Sequence, residues 1–164
     1  MAKPEYHFST LWHLDAPLQQ VWEAIYHPEL WPHWWKGVEQ VSELEPGDDS
    51  GLGALQRYTW KGALPYRLTF DMRVTRIEPL ITLEGVASGE VEGTGCWRFW
   101  REGVTTIVLY EWHVSTTKRW MQLLDPVARP LFKWNHDVVM DQGGLGLAHM
   151  LNARLLAVEH QHQA

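Results

Sequence analysis

The chain has 164 residues, 45% of them hydrophobic and 21% charged, which is too apolar for a disordered chain and suits one domain. No apolar run approaches the ~18 residues of a membrane span, and Glu5, His7, His13, Asp15 and Glu23 make the first thirty residues unlike a signal peptide. A formal charge of −6, with Lys118-Arg119 as the densest basic cluster, argues against nucleic acid as a partner, and the lone Cys96 excludes an internal disulfide and fits a cytoplasmic location.

Residues 5–14 alternate, with Phe8, Thr10, Trp12 and Leu14 on one face, which predicts a half-buried strand. Asp15 then reads as a helix N-cap, with Pro17 in the first turn and Val21, Trp22, Ile25 and Tyr26 at helical spacing. Pro28 ends that helix by His27, and residues 30–35 predict a second short one. From 38 to 117 the chain reads as six strands: 38–45, 53–61, 65–78, 80–89, 91–101 and 104–116.

A two-residue turn at Glu102-Gly103 would set Trp97 opposite Val108, Gly95 opposite Tyr110, and Glu92 opposite His113. Arg73 is expected opposite Glu84. Asp125, followed by Pro126, predicts the start of a long C-terminal helix running to about Val158. Its inner face would hold Leu131, Trp134, Val138, Leu145 and Leu156 with Asn135, Gln142 and His149. Gly143, Gly144 and Gly146 in its middle point to a kink or a close backbone approach.

These elements predict one α+β domain over residues 1–164, with about 1–4 and 159–164 frayed. A curved antiparallel sheet of about seven strands would wrap around the long C-terminal helix, two short helices would follow strand 1, and a cavity would lie between sheet and helix. The opening Asp15-Ala-Pro-Leu-Gln-Gln-Val-Trp-Glu-Ala24 with Trp31-Pro-His-Trp-Trp35 resembles that of the START/Bet v 1-like (SRPBCC) superfamily. The hairpin from Gly95 to Trp112 and the helix with Asn135-His136 and Val139-Met140 resemble its polyketide cyclase/dehydrase-like branch. The resemblance implies a helix-grip fold and an apolar pocket for a lipid-like or polycyclic aromatic molecule. It implies no particular reaction, because fold and chemistry separate readily.

No histidine or cysteine spacing fits a metal site, no glycine-rich phosphate loop is present, and no Gly-x-Ser-x-Gly elbow occurs, so neither metal nor cofactor is expected. Trp97, Phe99, Tyr110 and Trp112, joined by Phe70 and Met72, share one sheet face and either fill the core or line a pocket. Tyr58, Trp60 and Tyr66 lie near strand ends, where a pocket mouth is expected. Asn135, Gln142 and His149 either hold loops and strand ends or aim at a ligand's oxygens. His136 is expected at the helix edge in a structural role.

Glu92, Glu111, His113 and Arg98 form the best acid–base set, but on the face expected to be outer, which makes them solvated cross-strand pairs. No catalytic residue is identifiable. The leading function is capture of a small hydrophobic or polycyclic aromatic molecule, with polyketide cyclase/dehydrase-like chemistry implied if the chain is an enzyme. The alternatives are a non-catalytic lipid or quinone carrier or sensor, and a protein-interaction module docking through Trp31, Trp34 and Trp35. The chain is expected to act as a monomer or homodimer.

Overall fold

The computed structural model describes residues 3–163. In chain order it runs β1 (Glu5–Leu14), α1 (Leu18–Tyr26), a 3-10 turn (Pro28–Leu30), α2 (Trp31–Trp34), β2 (Val38–Glu45), β3 (Leu55–Trp60), β4 (Leu68–Glu78), β5 (Thr82–Gly89), β6 (Val91–Glu102), β7 (Thr105–Thr116), α3 (Arg119–Met150) and β8 (Leu155–Gln163). The strands form one antiparallel sheet in the order β2-β3-β4-β5-β6-β7-β1-β8. Register shifts interrupt the pairing at Val38/Gln40, Glu43/Glu45, Val74/Arg76 and His13/Leu14. Such bulges bend a strand and increase its twist, which lets a sheet wrap around a helix. The α+β helix-grip architecture is as expected. Among the described residues, no helix is long and apolar enough to cross a membrane.

The expected seventh strand has an eighth beyond it. Instead of continuing to Val158, α3 stops at Met150 and Asn152 turns the chain with φ of 53°. Asparagine tolerates this left-handed conformation, and a short polar side chain at such a position is a stop signal. The segment expected to fray then pairs with β1 as far as Gln163, and Ala164 lies outside the described residues. At the other end Met1 and Ala2 also lie outside them, while Lys3 meets Glu92 at 2.9 Å.

The start of α3 is also earlier than expected. Asp125 is no cap. It is buried inside the helix, where its carboxylate accepts from the Tyr6 hydroxyl and from Arg129 at 3.0 Å. That cluster ties α3 to β1 across the stretch in which Pro126 and Pro130 remove two backbone donors. Asp15 likewise does not cap α1. Pro17 holds the N-cap position, and Asp15 pairs with Arg154 at 3.1 Å.

Most of the expected inner face of α3 is turned outward, although Asn135 is buried and Val138 half-buried. Leu131, Trp134 and Leu145 are exposed, as is Leu156 in β8. The buried face runs through Met121, Phe132, Asn135, Val139, Met140, Gly143, Gly144 and Leu147. Gly143 and Gly144 are there because rings press on the helix. A Cβ on Gly143 would lie 2.4 Å from Trp35, and one on Gly144 would lie 3.1 Å from Trp12. Those indoles donate to helix carbonyls, Trp35 Nε1 to Val139 at 2.8 Å and Trp12 Nε1 to Met140 at 3.1 Å. Close backbone approach is thus what the glycines permit.

The β6–β7 turn falls at Gly103-Val104, one residue later than expected, so Glu102 faces Thr105 and Trp97 faces Tyr110. Gly95 then faces Trp112, and Glu92 faces Ser115 instead of His113. The error is two in register, so every side chain keeps its face. Arg73 faces Val86, and it is Arg76 that pairs with Glu84.

Candidate functional site: an aromatic cavity with an acidic rim

Eleven tryptophans make the interior unusual. Trp12, Trp31, Trp34, Trp35 and Trp97 are buried, and Trp35 lies at the centre, 4.8 Å from Trp60, 5.2 Å from Trp31, 5.4 Å from Trp12 and 6.1 Å from Trp97 between ring centroids. Tilted and edge-on pairs of this kind contribute about 0.5–1.5 kcal/mol each beyond their buried area. The Trp31–Trp35 segment is therefore core, and it presents no row of indoles for a partner to dock on. Trp12 and Trp35 pack between the sheet and α3, and the interior holds two chambers that share Trp60, Phe70 and Tyr110 as walls.

The larger chamber has a volume of about 490 Å³ and no residue of α3 in its wall. It lies toward β3–β6, beneath the α1 end and the turn that follows it. Its wall is Tyr58, Phe70, Met72, Leu83, Trp97 and Tyr110, with Ile25, Tyr26 and Trp31 closing it from the other side. Strand alternation aims the sheet residues inward, since cross-strand pairing sets Tyr58 beside Phe70, Leu83 beside Trp97 and Trp97 beside Tyr110 on one face. Tyr110 stacks on Trp97 at 4.1 Å, and its hydroxyl stands 3.0 Å from where a Gly95 Cβ would be. A side chain at position 95 would thus occupy the cavity edge. Tyr58 spends its hydroxyl on Gln56 Oε1 at 3.0 Å. Burial pushes the pKa of both the Tyr58 and the Tyr110 hydroxyl far up, so both remain protonated donors at neutral pH.

Glu29, Glu43, Asp48, Asp49 and Glu84 also line this chamber, and among the described residues no lysine or arginine does. Asp48 builds its turn by accepting from the Ser50 hydroxyl at 2.6 Å and from the Ser50 and Leu52 N–H groups. The Ser50 hydroxyl and these N–H groups hold the Asp48 carboxyl below its ordinary range. Glu84 is neutralised in part by Arg76 at 3.2 Å, and Glu29 lies 3.3 Å from His27. The Tyr26 hydroxyl donates to the Ser50 carbonyl and straps α1 to this turn.

The second chamber, about 130 Å³, is the one between sheet and α3. Tyr66, Trp112 and Asn135 line it, and Trp60, Phe70 and Tyr110 line both chambers. Of the residues expected at a ligand, Tyr58, Met72 and Trp97 thus face only the large chamber. Phe99, Gln142 and His149 line neither. Phe99 packs on Trp22 at 5.0 Å, Gln142 is half-buried beside the glycines, and His149 is exposed in the last turn of α3.

Asn135 faces the small chamber, but its amide is occupied. Its Oδ1 accepts from the Leu64 N–H at 3.0 Å and its Nδ2 donates to the Tyr66 hydroxyl at 3.1 Å, holding the β3–β4 loop against α3. Arg98 and Glu111 approach to 3.6 Å on the outer face, and His113 stacks on His7 there, as expected of solvated cross-strand groups.

The residues missed were Ile25, Tyr26, Trp31 and Leu83 of the wall, those of the rim, His27–Glu29 and Pro46–Gly51, and His136. Loops carry no periodicity that would aim them at a cavity, and a helix-edge position hid a buried imidazole. Among the described residues no cluster of histidine, cysteine or carboxylate groups could hold a metal ion.

Comparison with known proteins places this geometry. No curated protein matches the sequence. Among solved structures, the chain is similar to the Zhui aromatase/cyclase of Streptomyces sp. R1128, with TM-score 0.71, 15% identity, and 91% of this chain and 94% of that one covered. It is similar to a START superfamily protein of Mycobacterium smegmatis, with TM-score 0.72, 11% identity, and 90% and 97% covered. It is also similar to the protein TTHA0849 of Thermus thermophilus, with TM-score 0.68, 17% identity, and 90% and 99% covered. At these identities the likeness shows the fold. The family model described as polyketide cyclase / dehydrase and lipid transport matches residues 14–140, and the chain belongs to that family.

Proposed function

We propose that the chain captures an uncharged polycyclic aromatic molecule of two to four rings in the larger chamber. The observation that carries this reading is the 490 Å³ cavity walled by Tyr58, Phe70, Met72, Trp97 and Tyr110. A cavity of that size lies within the range of drug-sized ligand sites, roughly 300–1,000 Å³. Flat aromatic walls favour a flat ligand by offset stacking. The carboxylates around the chamber disfavour a ligand with its own carboxylate, such as a free fatty acid, because like charges repel, modestly at this exposed rim. The aromatase/cyclase among the similar structures agrees with this ligand class.

The wall also bears on catalysis. Tyr58 and Tyr110 are the titratable groups deepest in the chamber, and with their pKa values pushed up neither gives up a proton near neutral pH. A cyclase- or dehydrase-like reaction here would rest on holding a reactive chain in a folded shape, with the Tyr110 hydroxyl donating to one of its carbonyl oxygens, since Tyr58 is engaged with Gln56. The same wall favours, as a second reading, capture and release of an unaltered aromatic or quinone.

Quenching of tryptophan fluorescence by a neutral hydroxyanthraquinone tests the capture, with palmitate as the comparison. Saturable one-to-one quenching by the quinone and weaker binding of palmitate are expected. A folded protein that shows no saturable quenching overturns the reading, and recovery of a chemically changed ligand decides for catalysis.

A further inference from the structure

The outer face of α3 is left uncovered by the rest of the fold. Between Arg119 and Trp134 nine helix residues are exposed, and they fall on one side at steps of three and four. Eight of the nine are apolar: two prolines and Trp120, Leu123, Leu124, Val127, Leu131 and Trp134. Leu123 is 77% exposed and Val127 78%, so neither packs on the core. Single exposed apolar residues are ordinary on a protein surface. A contiguous strip from Trp120 to Trp134, about 21 Å long at 1.5 Å per residue, is the mark of a surface that meets a partner. The strip continues onto the β3–β4 loop, where Tyr66 meets Trp120 edge-on at 5.3 Å and Ala63 and Pro65 are exposed.

The charges around this strip have one sign. Asp125 is the one acidic residue between Arg119 and Trp134, and it is buried against Arg129 at 3.0 Å. Arg119 at one end, Lys133 at the other and Lys61 in the adjoining loop pair with no carboxylate among the described residues. Glu90, near the start of α3, is answered by Lys118 at 3.3 Å. The acidic β2–β3 loop lies elsewhere: antiparallel pairing groups it with the β4–β5 and β6–β7 turns, and α3 leaves β7 at the opposite end of the strands. Beyond Trp134 the helix changes character, with Asp141 and Asp137 tied to His160 and His162 of β8, each at 2.7 Å.

We propose that this face of α3 docks on an anionic bilayer surface, lying in the interface without crossing it. Leucine and valine between two tryptophans, with cations at the ends, is the composition of an interfacial amphipathic helix. The aliphatic side chains enter the acyl boundary, the indoles sit at headgroup level, and Arg119, Lys133 and Lys61 meet the lipid phosphates and carboxylates. A second copy of the chain is a poorer complement. Two-fold pairing of the strip on itself would gather these cations with no carboxylate to answer them. The formal charge of −6 is spread over the molecule and is screened beyond about 8 Å at physiological salt, so the groups at the contact decide. Docking of this kind is independent of ligand capture, because Arg119, Leu123, Val127 and Lys133 line neither chamber.

Flotation with vesicles of phosphatidylcholine alone, and of a two-to-one mixture of phosphatidylcholine and phosphatidylserine, tests the docking. The protein should float with the mixed vesicles and bind phosphatidylcholine alone about ten- to thirtyfold more weakly. Leu123→Ser with Val127→Ser, at two exposed positions that the fold does not use, should weaken binding to the mixed vesicles about tenfold or more. Arg119→Gln with Lys133→Gln should remove most of the preference for the mixed vesicles and leave binding to phosphatidylcholine unchanged. Wild-type protein that stays free of the mixed vesicles overturns the proposal, as does equal flotation with both kinds. A serine variant that floats like the wild type overturns it too, since lipid taken into a chamber would not sense these positions. A dimer in solution that the serine variant breaks gives the face to a second copy and overturns it as well. The charge variant keeps the test decisive if the serine variant fails to fold. Hydroxyanthraquinone quenching should be the same in both variants, so that loss of docking and loss of capture are read separately.

Discussion

Two residues show how much a position, as opposed to a residue type, decides. A mid-helix glycine ordinarily costs about 0.8–1.0 kcal/mol against alanine, so Gly143→Ala would stabilise most helices. Here the added methyl would lie 2.4 Å from the fully buried Trp35 ring, which has nowhere to retreat. Overpacking costs about 1–3 kcal/mol, which cancels or exceeds the propensity gain, so a net loss of up to about 2 kcal/mol is expected in urea denaturation. A raised midpoint would mean that the Trp35 ring does not press on the helix at that point. His136 gives a prediction in pH. Its folded pKa lies below the ordinary 6.5, because burial disfavours the imidazolium. Below pH 6.5 the unfolded chain therefore takes up a proton that the folded chain refuses. The stability this group contributes is present above that pH and falls as pH drops through and below it. The facing groups are Asp137, which opposes the shift, and His160 and His162, which add to it. Denaturation midpoints should decline on acidification from pH 7 to 5, and His136→Phe should flatten the decline. A variant with the same slope as the wild type would place the pH dependence elsewhere.

The strands were legible and the long helix was only half so, for a physical reason. On β1, β4, β6 and β7 apolar residues alternate with polar ones, and a two-residue period leaves one choice of buried face even when the register is wrong by two. That is why Phe70, Met72, Trp97 and Tyr110 could be placed on the inner face without a structure. Helix α3 carries apolar residues on both faces, so its period alone could not say which one the sheet covers. Leu131 and Leu147 make the contrast measurable. Leu147 is wholly buried and Leu131 is 53% exposed. Leu147→Ala should cost about 2–5 kcal/mol, and Leu131→Ala should stay within about 0.5 kcal/mol of wild type. The glycines were the usable signal, since Gly143 and Gly144 mark the side pressed by Trp35 and Trp12. The end of α3 was missed because Asn152 is one polar residue among several, and the alternation of β8 is weaker than that of the inner strands. The site divides in the same way. Its strand-borne walls followed from strand period; Ile25, Tyr26 and Trp31, which close it from the helices, did not, and its rim, made of the turn after α1 and the β2–β3 loop, has no period to read. Nor can a sequence tell a tryptophan that lines a cavity from one that fills it, which is how the large chamber came to lie away from α3.

At the scale of the whole molecule, the proposed capture makes the charge around the large chamber a filter on what enters it. Glu29, Glu43, Asp48 and Asp49 stand on the loops and the edge strand that frame the entry, and among the described residues no lysine or arginine lines the chamber. The chain as a whole carries a formal charge of −6, so its long-range field has the same sign as this local one. Any approaching anion is repelled by both. A matched pair of ligands isolates the effect: an anthraquinone carboxylate and its carboxamide, which share ring, size and stacking surface. In low salt the carboxylate should bind roughly three- to fivefold more weakly, as expected when a few exposed charges act at about 0.2–1 kcal/mol each. At 1 M salt the screening length falls to about 3 Å, and the two affinities should converge. Glu43→Gln with Asp49→Asn should close part of the same gap in low salt and leave carboxamide binding unchanged. Equal affinities for the pair in low salt would remove the rim from recognition and leave the aromatic wall as the source of selectivity.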